Sequence, residues 1–138
     1  MELKKGCSAL LSTIPTLLGA RHLLSAARHT VDGFRACFRS EIAFRQEVLV
    51  GVLNLIAVAL LPMQMSTRLG MIALWVLLIC VELLNSSIEA VVDLASPEWH
   101  ELAKRAKDCG SAAVFCMLFL FVGSWSVYLV SLVRSLSK

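Results

Sequence analysis

Four polar side chains stand out in an otherwise apolar chain: Glu82, Asn85, Glu89 and Asp93, within the stretch VELLNSSIEAVVD at 81–93. Their spacings of three, four and four place them on one face of a helix. A carboxylate at a bilayer centre costs about 2.5–3.5 kcal/mol on insertion scales, so an ionisable residue in a membrane segment reads as functional by default. Glu82 lies about 16 Å from Asp93 along a helix axis, which submerges it below the headgroups, while Glu89 lies nearer the surface. The two carboxylates can divide labour. The deeper one can act as a base at a lipid headgroup, and the shallower one can hold a hard divalent cation through oxygen. Glu41 falls at a similar depth at the start of another apolar run and can complete that metal site. Lys107 is a natural phosphate partner, and Asp108 can orient it or a metal. Plainer roles stand beside these. Glu89 or Asp93 can pair with Lys107 or Arg105, Asn85 can join two helices by a hydrogen bond, and Glu98, Trp99 and His100 can cap and anchor a loop helix.

The elements that must carry these residues are membrane helices. The chain has 138 residues, 58% of them hydrophobic, and a mean hydropathy of +0.77. That composition exceeds the soluble globular norm and predicts an integral membrane protein with one domain. A net charge of +3 implies no nucleic-acid partner. Five cysteines without C-x-x-C spacing argue against a disulfide framework or a zinc site; they read as small buried fillers. No G-x-x-x-x-G-K-[ST] or G-x-G-x-x-G nucleotide cradle is present.

Residues 1–20 read as an N-terminal extension rather than a cleaved signal, and residues 21–138 as a single membrane-embedded domain. At 21–40, Leu23, Ala27, Val31, Phe34 and Phe38 recur at helical spacing opposite Arg28, Asp32, Arg35 and Arg39. This predicts an amphipathic helix lying in the membrane interface. Spans are expected at about 42–61, 69–92 and 112–133. The uncharged part of the first, 48–61, is only about 21 Å long, so Glu41, Arg45 and Glu47 are expected near the interface. A charged loop is expected over 93–110, with Ser96, Pro97 and Glu98 starting a helix and proline at its first position. The fold class is all-α, three spans plus a surface helix. With residues 1–45 and the 93–111 loop on one side, that side holds ten of the 13 lysines and arginines. The positive-inside rule then predicts a cytoplasmic N-terminus and polar cluster and an external C-terminus.

At these residues the sequence resembles the prokaryotic integral-membrane diacylglycerol kinase family. The matching stretches are EIAFRQE at 41–47, VELLNSSIEAVVD at 81–93 and EWHELAKRAKDCGSAAV at 98–114, in the family's order and spacing. The E-x-x-N-x-x-x-E-x-x-x-D pattern is the most specific part. The resemblance implies transfer of the ATP γ-phosphate to a lipid hydroxyl with Mg2+, in a bacterial inner-membrane homotrimer with composite sites at subunit boundaries. Carried over by motif, Glu82 resembles the general base and Asn85 its support, and Glu41 and Glu89 resemble the magnesium ligands. Lys107 and Asp108 resemble nucleotide-phosphate contacts, with Glu98, Trp99 and His100 near the adenosine. Ala43, Phe44, Arg45, Gln46, Glu47 and Ser111 resemble lipid-site residues. His22 and His29 stand where some relatives carry an arginine and a tyrosine, and His29 is the nucleotide contact expected there. Undecaprenol kinases share the fold, but FRQE and KDCGSAAV look closer to the diacylglycerol branch. A proton-coupled transporter with an intramembrane glutamate relay is the alternative from another class; it leaves Glu41, Lys107 and Asp108 unexplained.

Overall fold

The computed structural model describes residues 19–137, with Ala20 and Arg21 described by backbone alone. The N-terminal extension expected at 1–20 therefore lies almost wholly outside the described residues. Among these there are four helices and no strand: α1 (Ala20–Ser40), α2 (Ile42–Leu60), α3 (Met65–Ala95) and α4 (Glu101–Leu136). Contacts divide the chain into two units, residues 1–39 and 40–138. The first contains nearly all of α1, where Leu23, Val31, Phe34 and Phe38 recur on one exposed face, as the apolar periodicity predicts.

The second unit carries three helices long and apolar enough to cross a membrane. Pro62 ends the first of them. It disfavours helical backbone at the residue before it, and Leu61 is extended at φ −81° and ψ 148°. The four-residue link to α3 is held from both flanks. Arg68 donates from Nε to the Met63 carbonyl at 3.2 Å and from Nη2 to the Leu61 carbonyl at 3.1 Å. The Tyr128 hydroxyl donates to the Pro62 carbonyl at 3.3 Å. Helix α3 runs beyond the expected 69–92 in both directions and stops before Pro97. Proline does not open the next helix. His100 does, as N-cap, with Nδ1 accepting from the Leu102 amide at 3.2 Å. The stretch expected to be a loop up to residue 110 is thus mostly helical. From Glu101 its charged turns continue into the third span as one helix, because no proline or cap signal interrupts 101–136.

Helix α3 is the central element: it packs on α2 and, more extensively, on α4. The apolar core comprises Phe44, Val58, Met71, Leu78, Ile79 and Phe121, and three polar residues, Glu47, Asn54 and Glu82, are buried with it. Much of the remaining apolar surface is exposed, from Leu49 on α2 to Phe119 on α4, which suits helices solvated by lipid. The four described cysteines do not fill the core. Cys80, Cys109 and Cys116 are exposed and Cys37 is half-buried, because each falls on an outward position of its helix.

Candidate active site

The polar face of α3 meets the beginning of α2 and the charged turns of α4. Glu82 is only 3% exposed. Its carboxylate lies within electrostatic range of Glu41, at the mouth of α2, of Glu47 in α2 and of Glu89 on its own helix. Four carboxylates from two helices therefore converge, with Asn85 beside them. Asn85 donates from Nδ2 to Glu89 Oε1 at 3.3 Å. Its bond thus runs along α3 to Glu89 rather than across to another helix. The outer end of α3 carries Asp93, which pairs with Lys107 of α4 at 2.5 Å, the plainer role considered for it. Asp108 does not orient Lys107. It pairs with Lys104 at 2.5 Å, because a residue four positions earlier lies on the same face of α4 while the adjacent one does not.

Gly110 decides how close α3 and α4 come at this level. It is the one buried residue in the polar turns of α4, and a Cβ placed there would fall on Asn85 Oδ1. That oxygen is buried and has no hydrogen-bond partner, as is Ser86 Oγ next to it. Buried polar atoms without a protein partner are rare in folded proteins, and here two lie on adjacent residues. Gly110→Ala is expected to cost about 1–3 kcal/mol of stability through overpacking. An earlier thermal loss of helical circular dichroism in detergent micelles would register it; an unchanged midpoint means that Asn85 has room to swing away.

The other expected site residues scatter more widely. Ala43, Arg45, Gln46 and Ser111 are exposed, whereas Phe44, 1% exposed, belongs to the core. Glu47 is buried among the helices, 9% exposed, and its Oε2 is unpartnered. Glu98 and Trp99 are exposed in the link before α4, next to the capping His100. His29 is exposed in α1, with Nε2 at 3.4 Å from Ser25 Oγ, and His22 is exposed in the same helix. Sequence reasoning missed two interhelical bonds. Trp75 Nε1 donates to the Glu47 main-chain carbonyl at 3.1 Å, and Trp125 Nε1 donates to Asn54 Oδ1 at 3.0 Å. Tryptophans inside apolar runs carry no sequence signal for their N–H partners, although Asn54 as an amide in a span was a visible hint.

Among the described residues no three His, Cys, Asp or Glu side chains form a closed metal cage. Magnesium does not demand one. It binds through one or two carboxylates together with waters and substrate phosphates. Glu41 and Glu89, both in range of Glu82, are hard oxygen donors of that type, so this face fits the ion.

Residues 28–129 match the family model described as prokaryotic diacylglycerol kinase. Among curated proteins, the diacylglycerol kinase of Pseudomonas aeruginosa is 45% identical over 112 residues, covering 81% of this chain and 91% of that protein. The diacylglycerol kinase of Escherichia coli (strain K12) is 41% identical over 113 residues, 82% of this chain and 93% of the relative. That of Helicobacter pylori (strain 26695) is 35% identical over 118 residues, 86% and 92%. The matched region spans α2, α3 and most of α4 and contains the whole carboxylate face. The chain belongs to the prokaryotic diacylglycerol kinase family.

Proposed function

We propose that this protein is an ATP-dependent diacylglycerol kinase, which transfers the γ-phosphate of ATP to the free hydroxyl of diacylglycerol and forms phosphatidic acid. The observation that carries the reading is Glu82, a carboxylate 3% exposed within a membrane helix and surrounded by Glu41, Glu47 and Glu89. Three spans without a site of this kind would describe many small membrane proteins. A buried carboxylate in range of further hard oxygen donors, one of which is in turn in range of Lys107, fits a phosphoryl-transfer site.

The chain's residues divide the work as follows. Glu82 accepts the proton of the lipid hydroxyl as its oxygen forms the bond to the γ-phosphorus and the β–γ bridging bond breaks, leaving ADP. Asn85 holds Glu89 through its Nδ2, and Glu41 and Glu89 would hold Mg2+. When bound, the ion neutralises charge on the transferring phosphates. Lys107 adds a cation for the same phosphates once it exchanges Asp93 for nucleotide; Asp108, Glu98, Trp99, His100 and His29 bind the rest of the nucleotide. Residues 43–47 and Ser111 bind the lipid. The working form is a homotrimer with composite sites, in the bacterial inner membrane, with the carboxylate face cytoplasmic and the C-terminus outside. The family resemblance supports the trimer, and the charge asymmetry between loops supports the orientation.

The test is direct. Purified full-length protein in mixed micelles receives γ-labelled ATP and magnesium, with diacylglycerol and undecaprenol in parallel. Label in diacylglycerol is expected. Label confined to undecaprenol reassigns the substrate, and no labelled lipid overturns the kinase reading. A cysteine-accessibility probe at position 138 should react from outside; reaction only from the cytoplasm refutes the three-span orientation.

A further inference from the structure

Trp75 occupies an unusual place for a tryptophan in a membrane helix. Its indole lies across Gly51, so closely that a Cβ on Gly51 would fall within the ring. Its Nε1 donates to the Glu47 carbonyl at 3.1 Å. Glu47 and Gly51 are the two ends of one α-helical turn, and the Glu47 carbonyl already serves the Gly51 amide in the α2 ladder. A carbonyl has two lone pairs and can accept a second donor. The indole thus grips a single turn of α2 at both ends: its ring fills the notch at Gly51 and its N–H holds the carbonyl at Glu47. The Glu47 side chain projects from the gripped turn. Its carboxylate is buried, faces the charge of Glu82, and keeps Oε2 without a partner. A buried acceptor left open beside the proposed base is suited to a hydroxyl donor on a ligand. Trp75 itself stands seven residues before Glu82 on α3, two turns along the same helix. Gripping the 47–51 turn therefore fixes Glu47 relative to the helix that carries Glu82.

We propose that Trp75 is a positioning residue for the lipid acceptor: seated on Gly51 and bonded to the Glu47 carbonyl, it aims the Glu47 carboxylate at the glycerol headgroup beside Glu82. This rests on the kinase reading above. It assigns Trp75 and Gly51 to one end of the site only, the lipid end, and leaves nucleotide binding untouched.

The experiment uses full-length protein in mixed micelles. Trp75→Phe keeps a ring in the notch and removes the N–H; Gly51→Ala displaces the ring by an independent route. Both are compared with the parent for the KM of diacylglycerol, the KM of MgATP, kcat and the thermal midpoint. Trp75→Phe should raise the diacylglycerol KM about three- to tenfold, the size of one net hydrogen bond, with the MgATP KM unchanged. Gly51→Ala should shift the same constant in the same direction. In a Glu47→Gln background, Trp75→Phe should have little further effect, because the two act through one contact. If both KM values rise together, if only the thermal midpoint moves, or if the effect adds in full to Glu47→Gln, Trp75 is a packing residue and the proposal fails. A parent without diacylglycerol kinase activity overturns the functional reading instead, so the two failures are distinct.

Discussion

Glu82→Gln is expected to lower kcat by about 10²–10⁴, the usual share of general acid–base catalysis. A lipid hydroxyl is a poor nucleophile and must lose its proton as it attacks phosphorus. Most of the remaining work of phosphoryl transfer is positioning and charge neutralisation, which Lys107 and a bound cation can supply. Glu82 is the most deeply buried carboxylate of the face, 3% exposed, and a glutamine fills nearly the same volume. Folding, oligomeric state and MgATP affinity should therefore survive. Lys107→Ala should behave in the opposite way, raising the MgATP KM and leaving Asp93 unpaired. Steady-state kinetics with MgATP binding measured separately distinguishes the two. A Glu82→Gln protein with near-normal kcat, or one inactive only because MgATP no longer binds, removes Glu82 from the role of base.

Glu89→Gln is the second large effect. The substitution retains an oxygen that can accept from Asn85 Nδ2, now at 3.3 Å from Glu89 Oε1, so the local geometry of α3 can persist. What it removes is the charge, and a hard divalent cation favours carboxylate oxygen. The magnesium concentration for half-maximal activity should rise by at least roughly tenfold, as even weaker disturbances around metal ligands do. Glu41→Gln should produce the same shift, and the double variant should lie well below the product of the two, as the proposal that both residues serve one ion requires. Magnesium titrations at saturating ATP read this out. An unchanged requirement in Glu89→Gln would return Glu89 to the role of holding Asn85 in place.

The sequence made some of this visible and hid the rest for physical reasons. The spacing of Glu82, Asn85, Glu89 and Asp93 is a property of one helix, so the shared face could be read directly and α3 carries it. The three spans were equally legible, because long apolar runs broken by Pro62 and Pro97 have few other readings. Partner choice between helices was not. Lys107 and Asp108 are neighbours in the chain, yet Asp108 pairs within α4 with Lys104 while Lys107 reaches Asp93, and only the docking of α3 on α4 decides the second pair. The burial of Glu47 was hidden for the same reason: a charged residue before an uncharged run does not show which neighbour covers it, and here Trp75 packs on Gly51 and bonds the Glu47 carbonyl. The charged loop was misjudged because charge density resembles an exposed linker, whereas lysine, glutamate and alanine at 101–107 are also good helix formers.

The continuity of α4 has a mechanical consequence. Its 36 residues extend about 54 Å, of which the uncharged stretch 112–133 accounts for about 33 Å, close to the thickness of a hydrocarbon layer. Lys107 and Gly110 therefore ride on the same shaft that the acyl chains grip, with no hinge loop between. A mismatch in bilayer thickness is met by tilting or sinking the whole helix, and that displacement is delivered undiminished to the level of Lys107. The host membrane thus acts as a gauge block for this face: the length of its acyl chains sets how high Lys107 stands, and with it the cation proposed to meet the nucleotide phosphates.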